Sequence, residues 1–253
     1  MLPMNLSSKR LPNGFAKEYR LHEQLKQYYG LGADGIEVEV DGCIVDVVKG
    51  GRIIEVQTAN LSALRRKLAR LLPQHWVTVV FPVPKERYIV WLSPSDRHEL
   101  HRRRSPKRGQ WFEVFKELPH LAPYLKHRHF SLEVVLTKEN DFRVNDGRGS
   151  WRRGGARTVD RELVDVLGTE YFATPRSYRR VLPDGLPEPF TSRDLAHARD
   201  MPLRLAQKAM YSLRSAGTVC IAGKRRNAIL YTTKTCSGGR RTKWRADAFH
   251  LNH

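Results

Sequence analysis

The stretch IEVEVDGCIVDVVKGGRIIEVQ, residues 36–57, decides how the first third of the chain folds. Ile36, Val38 and Val40 alternate with acids, the period of two that a half-buried strand requires. Asp41-Gly42 turns the chain into a second run, Cys43 to Val48. Gly50-Gly51 then supplies the two positive-φ positions of a tight hairpin loop before Ile53 to Gln57 runs back. A two-residue loop fixes the register: Lys49 faces Arg52, Val48 faces Ile53, Val47 faces Ile54, and Asp46 lies opposite Glu55. Two carboxylates opposed on a sheet repel unless something offsets them, and a divalent cation is the natural candidate. Gln57 is expected on the same face as Glu55, because strand side chains alternate. The bland alternative for Asp46 and Glu55 is a solvated sheet face with ordinary surface acids.

Helical spacing flanks this hairpin. Phe15 to Tyr29 carries apolar residues at 15, 21, 25, 28 and 29. Glu18 falls inside that arc, whereas Glu23 lies outside it. An acid on a core-facing stripe is costly unless paired or bound to metal, so Glu18 is the expected third acid; its bland alternative is a helix-edge acid paired with Lys or Arg. Downstream, Asn60 is expected to cap a helix with leucines at 61, 64, 68, 71 and 72 and a basic face of Arg65, Arg66, Lys67 and Arg70. Trp76 to Val83 and Arg87 to Leu92 read as two strands joined by Pro84-Lys85-Glu86.

The 253 residues carry 45 Lys and Arg against 26 Asp and Glu, a formal charge of +19, with 40% hydrophobic content. That is a folded, strongly basic chain of one large or two small domains. The excess is lopsided: residues 1–93 are net +4 and residues 94–253 net +15. Such a potential attracts polyanions, and without a basic amphipathic helix or lipid anchor the expected partner is nucleic acid and not a membrane. Cys43, Cys220 and Cys236 are widely spaced, which fits a reducing cytosol better than a disulfide framework or zinc site. No signal peptide or membrane span is read, so a cytoplasmic location is expected.

Glu18, Asp46 and the Glu55-Val56-Gln57 triplet, in the order helix, strand, hairpin strand, helix, strand, resemble the core of the PD-(D/E)XK nuclease superfamily over about residues 15–92. The resemblance implies an α/β fold, a restriction endonuclease-like αβββαβ core with a mixed sheet in residues 1–93. It implies Mg2+, with Mn2+ as a substitute, held by Asp46, Glu55 and the Val56 carbonyl, and Glu18 assisting through metal or water. The sequence departs from that pattern at Gln57, where the family motif has Lys; Gln is neutral and can only orient water. Lys67 and Lys49 are both candidates to stand in.

Residues 94–110, with Arg97, Arg102, Arg103, Arg104, Lys107 and Arg108, read as a linker or basic surface strip. Residues 111–185 read as an α+β region: a Pro-interrupted helical stretch from Trp111 to Leu125, a strand over 131–137 and a helix over 159–167. Within it, Arg152 and Arg153 beside Trp151 and Gly154-Gly155 form a candidate phosphate-cradling loop, or a plain solvated loop with one anchoring Trp. Residues 186–232 resemble a winged helix-turn-helix domain. In that fold the second helix enters the major groove and the hairpin wing touches the backbone. The resemblance assigns Arg204, Gln207, Lys208, Tyr211 and Arg214 to nucleic-acid contact from the helix, and Lys224, Arg225 and Arg226 from the wing tip; packing against a protein is the alternative. Residues 233–253 read as a basic tail. The expected function is a Mg2+-dependent endonuclease of duplex or branched DNA with no small-molecule cofactor, homodimeric where both strands are cut. The competing class is a catalytically inactive nuclease-fold DNA-binding protein or regulator, and an RNA-directed protein is a third.

Overall fold

The computed structural model describes residues 20–151 and 154–234. Glu18, Arg152, Arg153, Cys236 and all of the expected tail beyond Lys234 lie outside the described residues. The first six elements follow the expected order: α1 (Arg20–Gly30), β1 (Gly35–Val40), β2 (Cys43–Lys49), β3 (Arg52–Val56), α2 (Arg65–Leu71) and β4 (Trp76–Leu92). The leucine stripe of α2, entered through a 3-10 turn over Leu61–Leu64, is buried as its spacing requires. Truncating a fully buried member such as Leu68 to Ala is expected to cost about 2–5 kcal/mol. Asn60 does not cap it by side chain: it sits at φ 53°, and its carbonyl takes the Ala63 N–H instead.

The chain then departs from the sequence reading in three places, all with one cause. β4 is a single strand of 17 residues and not two. Its Pro82 and Pro84 are tolerated because Val80 and Pro84 turn their carbonyls to one edge, accepting from Gln57 N and Gly109 N. The prolines' missing N–H groups therefore fall in a gap on that edge where no strand pairs. β5 (Glu99–Arg104) forms within the expected linker and pairs antiparallel with the far end of β4. β7 (Ala156–Phe172) replaces the helix expected over 159–167, pairing antiparallel with β6 (Phe130–Asn145) from Leu132 to Asn145. Register shifts in that pair break the strict alternation and leave a helix-like spacing in which Leu163 and Val166 both pack under α1.

The cause is that β4 has two edges to satisfy. One edge pairs parallel with β3 over Trp76–Val80 and antiparallel with β5 over Tyr88–Leu92; the other pairs parallel with β6 from Val77 to Leu92. The result is an α/β fold with one seven-stranded mixed sheet ordered β1-β2-β3-β4-β6-β7, with β5 on β4. A boundary at residue 93, and separate units over 1–93 and 111–185, are thereby corrected: both segments share this sheet. Leu21 and Leu25 of α1 cover one face over Val56, Val80 and Val135. The other face packs against α2, two 3-10 segments (Trp111–Lys116 and Leu118–Tyr124) and the C-terminal elements.

Those elements are α3 (Pro175–Tyr178), α4 (Ser192–Ala198), α5 (Leu203–Ser215), β8 (Cys220–Arg225) and β9 (Ala228–Thr232). Thr191 and Asp194 make a reciprocal capping box at α4, and Gly217 at φ 76° ends α5. On α5, Leu205, Ala206, Ala209, Met210 and Leu213 are buried, while Leu203 is exposed. The β8–β9 hairpin closes tightly, with Arg225 pairing Ala228. Leu195, Met210, Leu213 and Tyr231 join the same core as Leu68, Val77 and Leu118. Among the described residues no helix is long and apolar enough to cross a membrane.

The far half of the sheet has a charged interior. Glu139 on β6 is 0% exposed and accepts two bonds from Arg161, at 3.1 and 2.7 Å, and one from the Thr137 hydroxyl at 2.5 Å. Asp141, 2% exposed, accepts from Arg143 at 3.1 and 2.6 Å and from Thr158 at 2.8 Å. Arg20 ties α1 to this layer through Asp160 and Glu162.

Candidate active site

The β2–β3 hairpin closes as its sequence requires, with Gly50 at φ 56° and Gly51 at φ 70° and pairs Lys49–Arg52, Val48–Ile53 and Val47–Ile54. One step further, side chains take over from the ladder. Glu55 Oε1 accepts the Asp46 main-chain N–H at 3.3 Å, and Asp46 Oδ2 accepts the Val56 N–H at 2.8 Å. The two acids thus meet at the C-terminal end of β3, beside the parallel strand β4.

Two helices close over the pair. Lys67 of α2 donates from Nζ to Glu55 Oε2 at 2.5 Å. His22 of α1 places Nε2 2.9 Å from the Val56 carbonyl and 3.6 Å from Asp46 Oδ2. Of the two candidate lysines the structure brings in Lys67; Lys49, at the hairpin tip, donates to the Leu31 carbonyl at 2.6 Å. Gln57 donates its amide nitrogen to the Ala59 carbonyl just past the end of β3, while its main-chain N–H bonds Val80 O at 2.9 Å. His22 is the residue the sequence reading missed. Its signal was present, since it follows the candidate Glu18 by four residues in the sequence and lies on the flank of the Leu21–Leu25 stripe.

The electrostatics are unequal. Glu55 is 2% exposed, and burial pushes its carboxyl up to about 7, helped by the neighbouring Asp46 charge and opposed by Lys67. Burial also works to raise Asp46, but His22, the Val56 N–H and the more distant Lys67 charge together hold it below the usual carboxylate range. Asp46 is therefore the standing anion, and Glu55 is the member that takes the proton. Among the described residues no group of three or more His, Cys, Asp and Glu forms a metal cage. The donors here are mixed: two carboxylates, a main-chain carbonyl and an imidazole.

A family model described as "Domain of unknown function (DUF8091)" matches residues 19–173. The chain belongs to that family. The DUF8091 match takes in α1, the acid pair, Lys67 and the whole seven-stranded sheet, and ends one residue after β7. An uncharacterized protein of Treponema pallidum (strain Nichols) is 41% identical over 181 residues, covering 71% of this chain and 72% of that relative. No solved structure matches.

Beyond the DUF8091 match, α5 exposes Arg204, Gln207, Tyr211 and Arg214, with Arg214 set 5.8 Å over the Tyr211 ring. Lys208, half-buried, donates to the Lys116 carbonyl at 2.6 Å and ties α5 to the 3-10 segment beneath. Lys224, Arg225 and Arg226 are exposed on β8 and its turn, where Arg226 has φ 54°.

Proposed function

We propose that the chain is a divalent-metal-dependent endonuclease of the PD-(D/E)XK type, acting on DNA, with the α4–β9 unit serving as a winged helix that positions the substrate. The observation that carries this reading is the convergence of Asp46, Glu55, the Val56 carbonyl, His22 and Lys67 at the end of one strand. The donors suit a hard divalent cation: two carboxylates are placed together with a single ammonium, and Glu55 stays raised to about 7 despite it. Asp46, Glu55 and the Val56 carbonyl would hold that ion, which when bound polarises a phosphodiester and acidifies water.

The chain's own groups supply the rest. His22 fixes the Val56 carbonyl at the mouth of the site and lies against Asp46 Oδ2. Lys67 stands where the motif lysine is absent, its ammonium beside Glu55 and able to offset charge on a phosphate; it takes the part that Gln57 does not. As pH rises through about 7, Glu55 loses its proton and adds a second negative charge beside Asp46.

The test is cleavage of linear, circular and branched DNA with Mg2+, Mn2+ or EDTA by the wild type and by Asp46→Asn and Glu55→Gln. Metal-dependent cutting lost in both variants is expected. Cutting that persists in both, or strong binding with no cutting under any metal, overturns the reading and leaves a non-enzymatic nucleic-acid-binding protein.

A further inference from the structure

We propose that β5 and the segment 105–109 after it form a nucleic-acid track that holds the duplex flanking the scissile bond; the scissile bond rests on the reading above, whereas the track is built from other residues. Topology comes first. β3 and β5 share one edge of β4, and between them Ser105 N bonds Arg87 O at 2.8 Å and Gly109 N bonds Pro84 O at 3.0 Å. The basic segment therefore begins along the edge where β3 and its acid pair end, and runs away from them in line.

The charges on it are only partly neutralised locally. Glu86 serves both Arg104 and Arg108, at 2.9 and 3.6 Å, and Glu113 serves both Lys107 and Lys116. Arg103 is exposed and makes no ion pair among the described residues. All six residues of β5 are exposed. Some are held for contact: His101 stacks on Trp91 at 5.9 Å, and Arg102 lies 4.7 Å over Tyr88 while donating to Asn140 at 2.6 Å. At the far end, Leu92 pairs with Val144, which brings in the β6–β7 loop with exposed Arg148 and Trp151, the latter 83% exposed.

Charged edges also prevent sheet-to-sheet pairing. That role accounts for one or two charges on β5, not for cations that continue through Lys107 and Arg108 outside the strand. Leu100 is the lone large apolar side chain exposed on β5, too little for a membrane surface. A row of cations in line suits a phosphate backbone. From the level of Glu55 at Val79 to the level of Glu99 at Leu92 the strand advances about 40 Å, or about 12 base pairs.

The experiment measures binding of the full chain, in EDTA, to fluorescent DNA and RNA duplexes of about 8 to about 24 base pairs and to phosphatidylglycerol vesicles, comparing wild type with the double variant Arg103→Glu/Lys107→Glu. Both positions are surface sites, and an unchanged melting temperature confirms the variant is folded. Wild-type affinity is expected to climb up to about 12 base pairs; the variant loses that climb, binds the longest duplex at least about 10-fold more weakly, and shows a salt slope smaller by about 1.8. A variant that binds like wild type, or a wild type that prefers the vesicles, overturns the track. Cutting of the same duplex with Mn2+ is scored separately. Variant-sensitive binding without wild-type cutting keeps the track and sinks the nuclease reading, and wild-type cutting with variant-insensitive binding does the reverse.

Discussion

Glu139 and Glu55 are both buried carboxylates on one sheet, yet their surroundings differ in kind. Around Glu139 and Asp141 stand Arg161 and Arg143, each donating twice to one oxygen, with threonine hydroxyls on the other oxygens and Arg87 3.8 Å from Asp141. The two carboxylates have their charge and hydrogen bonding satisfied in place, which marks a structural network. Asp46 and Glu55 have one ammonium between them and press against each other, and the shortfall appears as the raised Glu55. Where buried acids sit beside too little positive charge, the missing charge points to something that arrives from outside.

That contrast can be broken by mutation. Asp46→Asn should lower metal-dependent cleavage on the order of 1000-fold with little change in melting temperature, measured by single-turnover kinetics. Arg161→Met should do the opposite. It strands a buried Glu139 and costs about 3 kcal/mol in denaturant unfolding, while the folded fraction cuts DNA at the wild-type rate. Equal effects of both changes on cleavage would erase the distinction between the two acid clusters.

The remaining predictions sharpen it. Lys67→Met should reduce cleavage roughly 10- to 100-fold and move the pH at which Mn2+ binding turns on upward, since Glu55 loses the ammonium that favours its charge. Glu55→Gln should raise the melting temperature by a few degrees (~1–2 kcal/mol) at pH 8 and leave it unchanged near pH 4. The sign follows from the direction of the shift: a carboxyl whose folded pKa lies above its ordinary 4.5 pays no ionisation penalty below that value, and pays it in full above about 7. Gln57→Ala, by contrast, should change cleavage less than about twofold, because its amide serves only Ala59.

What could be seen in the sequence was local. Gly50-Gly51 fixed the hairpin and the leucines of α2 its buried stripe, because each acts through neighbours a few residues away. What escaped was set by distant partners. Pro84-Lys85-Glu86 reads as a break until the gap beside it is known, and Val159 to Leu167 reads as helix until β6 lies next to it. The site divides in the same way. The Asp46–Glu55 juxtaposition follows from turn geometry, whereas the choice of Lys67 over Lys49 and the entry of His22 depend on how two helices settle over the strand end.

The unbroken β4 has a consequence for how the chain is made. Its partner β6 begins at Phe130, so the strand leaves the ribosome well before the edge that will cover it exists. Its near neighbours, β3 and α2, can assemble early, but the non-local pairing waits for another 50 or so residues and sets a slow step in folding. During that interval Trp76 to Leu92 presents a bare, largely apolar edge, the kind of surface that chaperones bind and that aggregates when they are lacking.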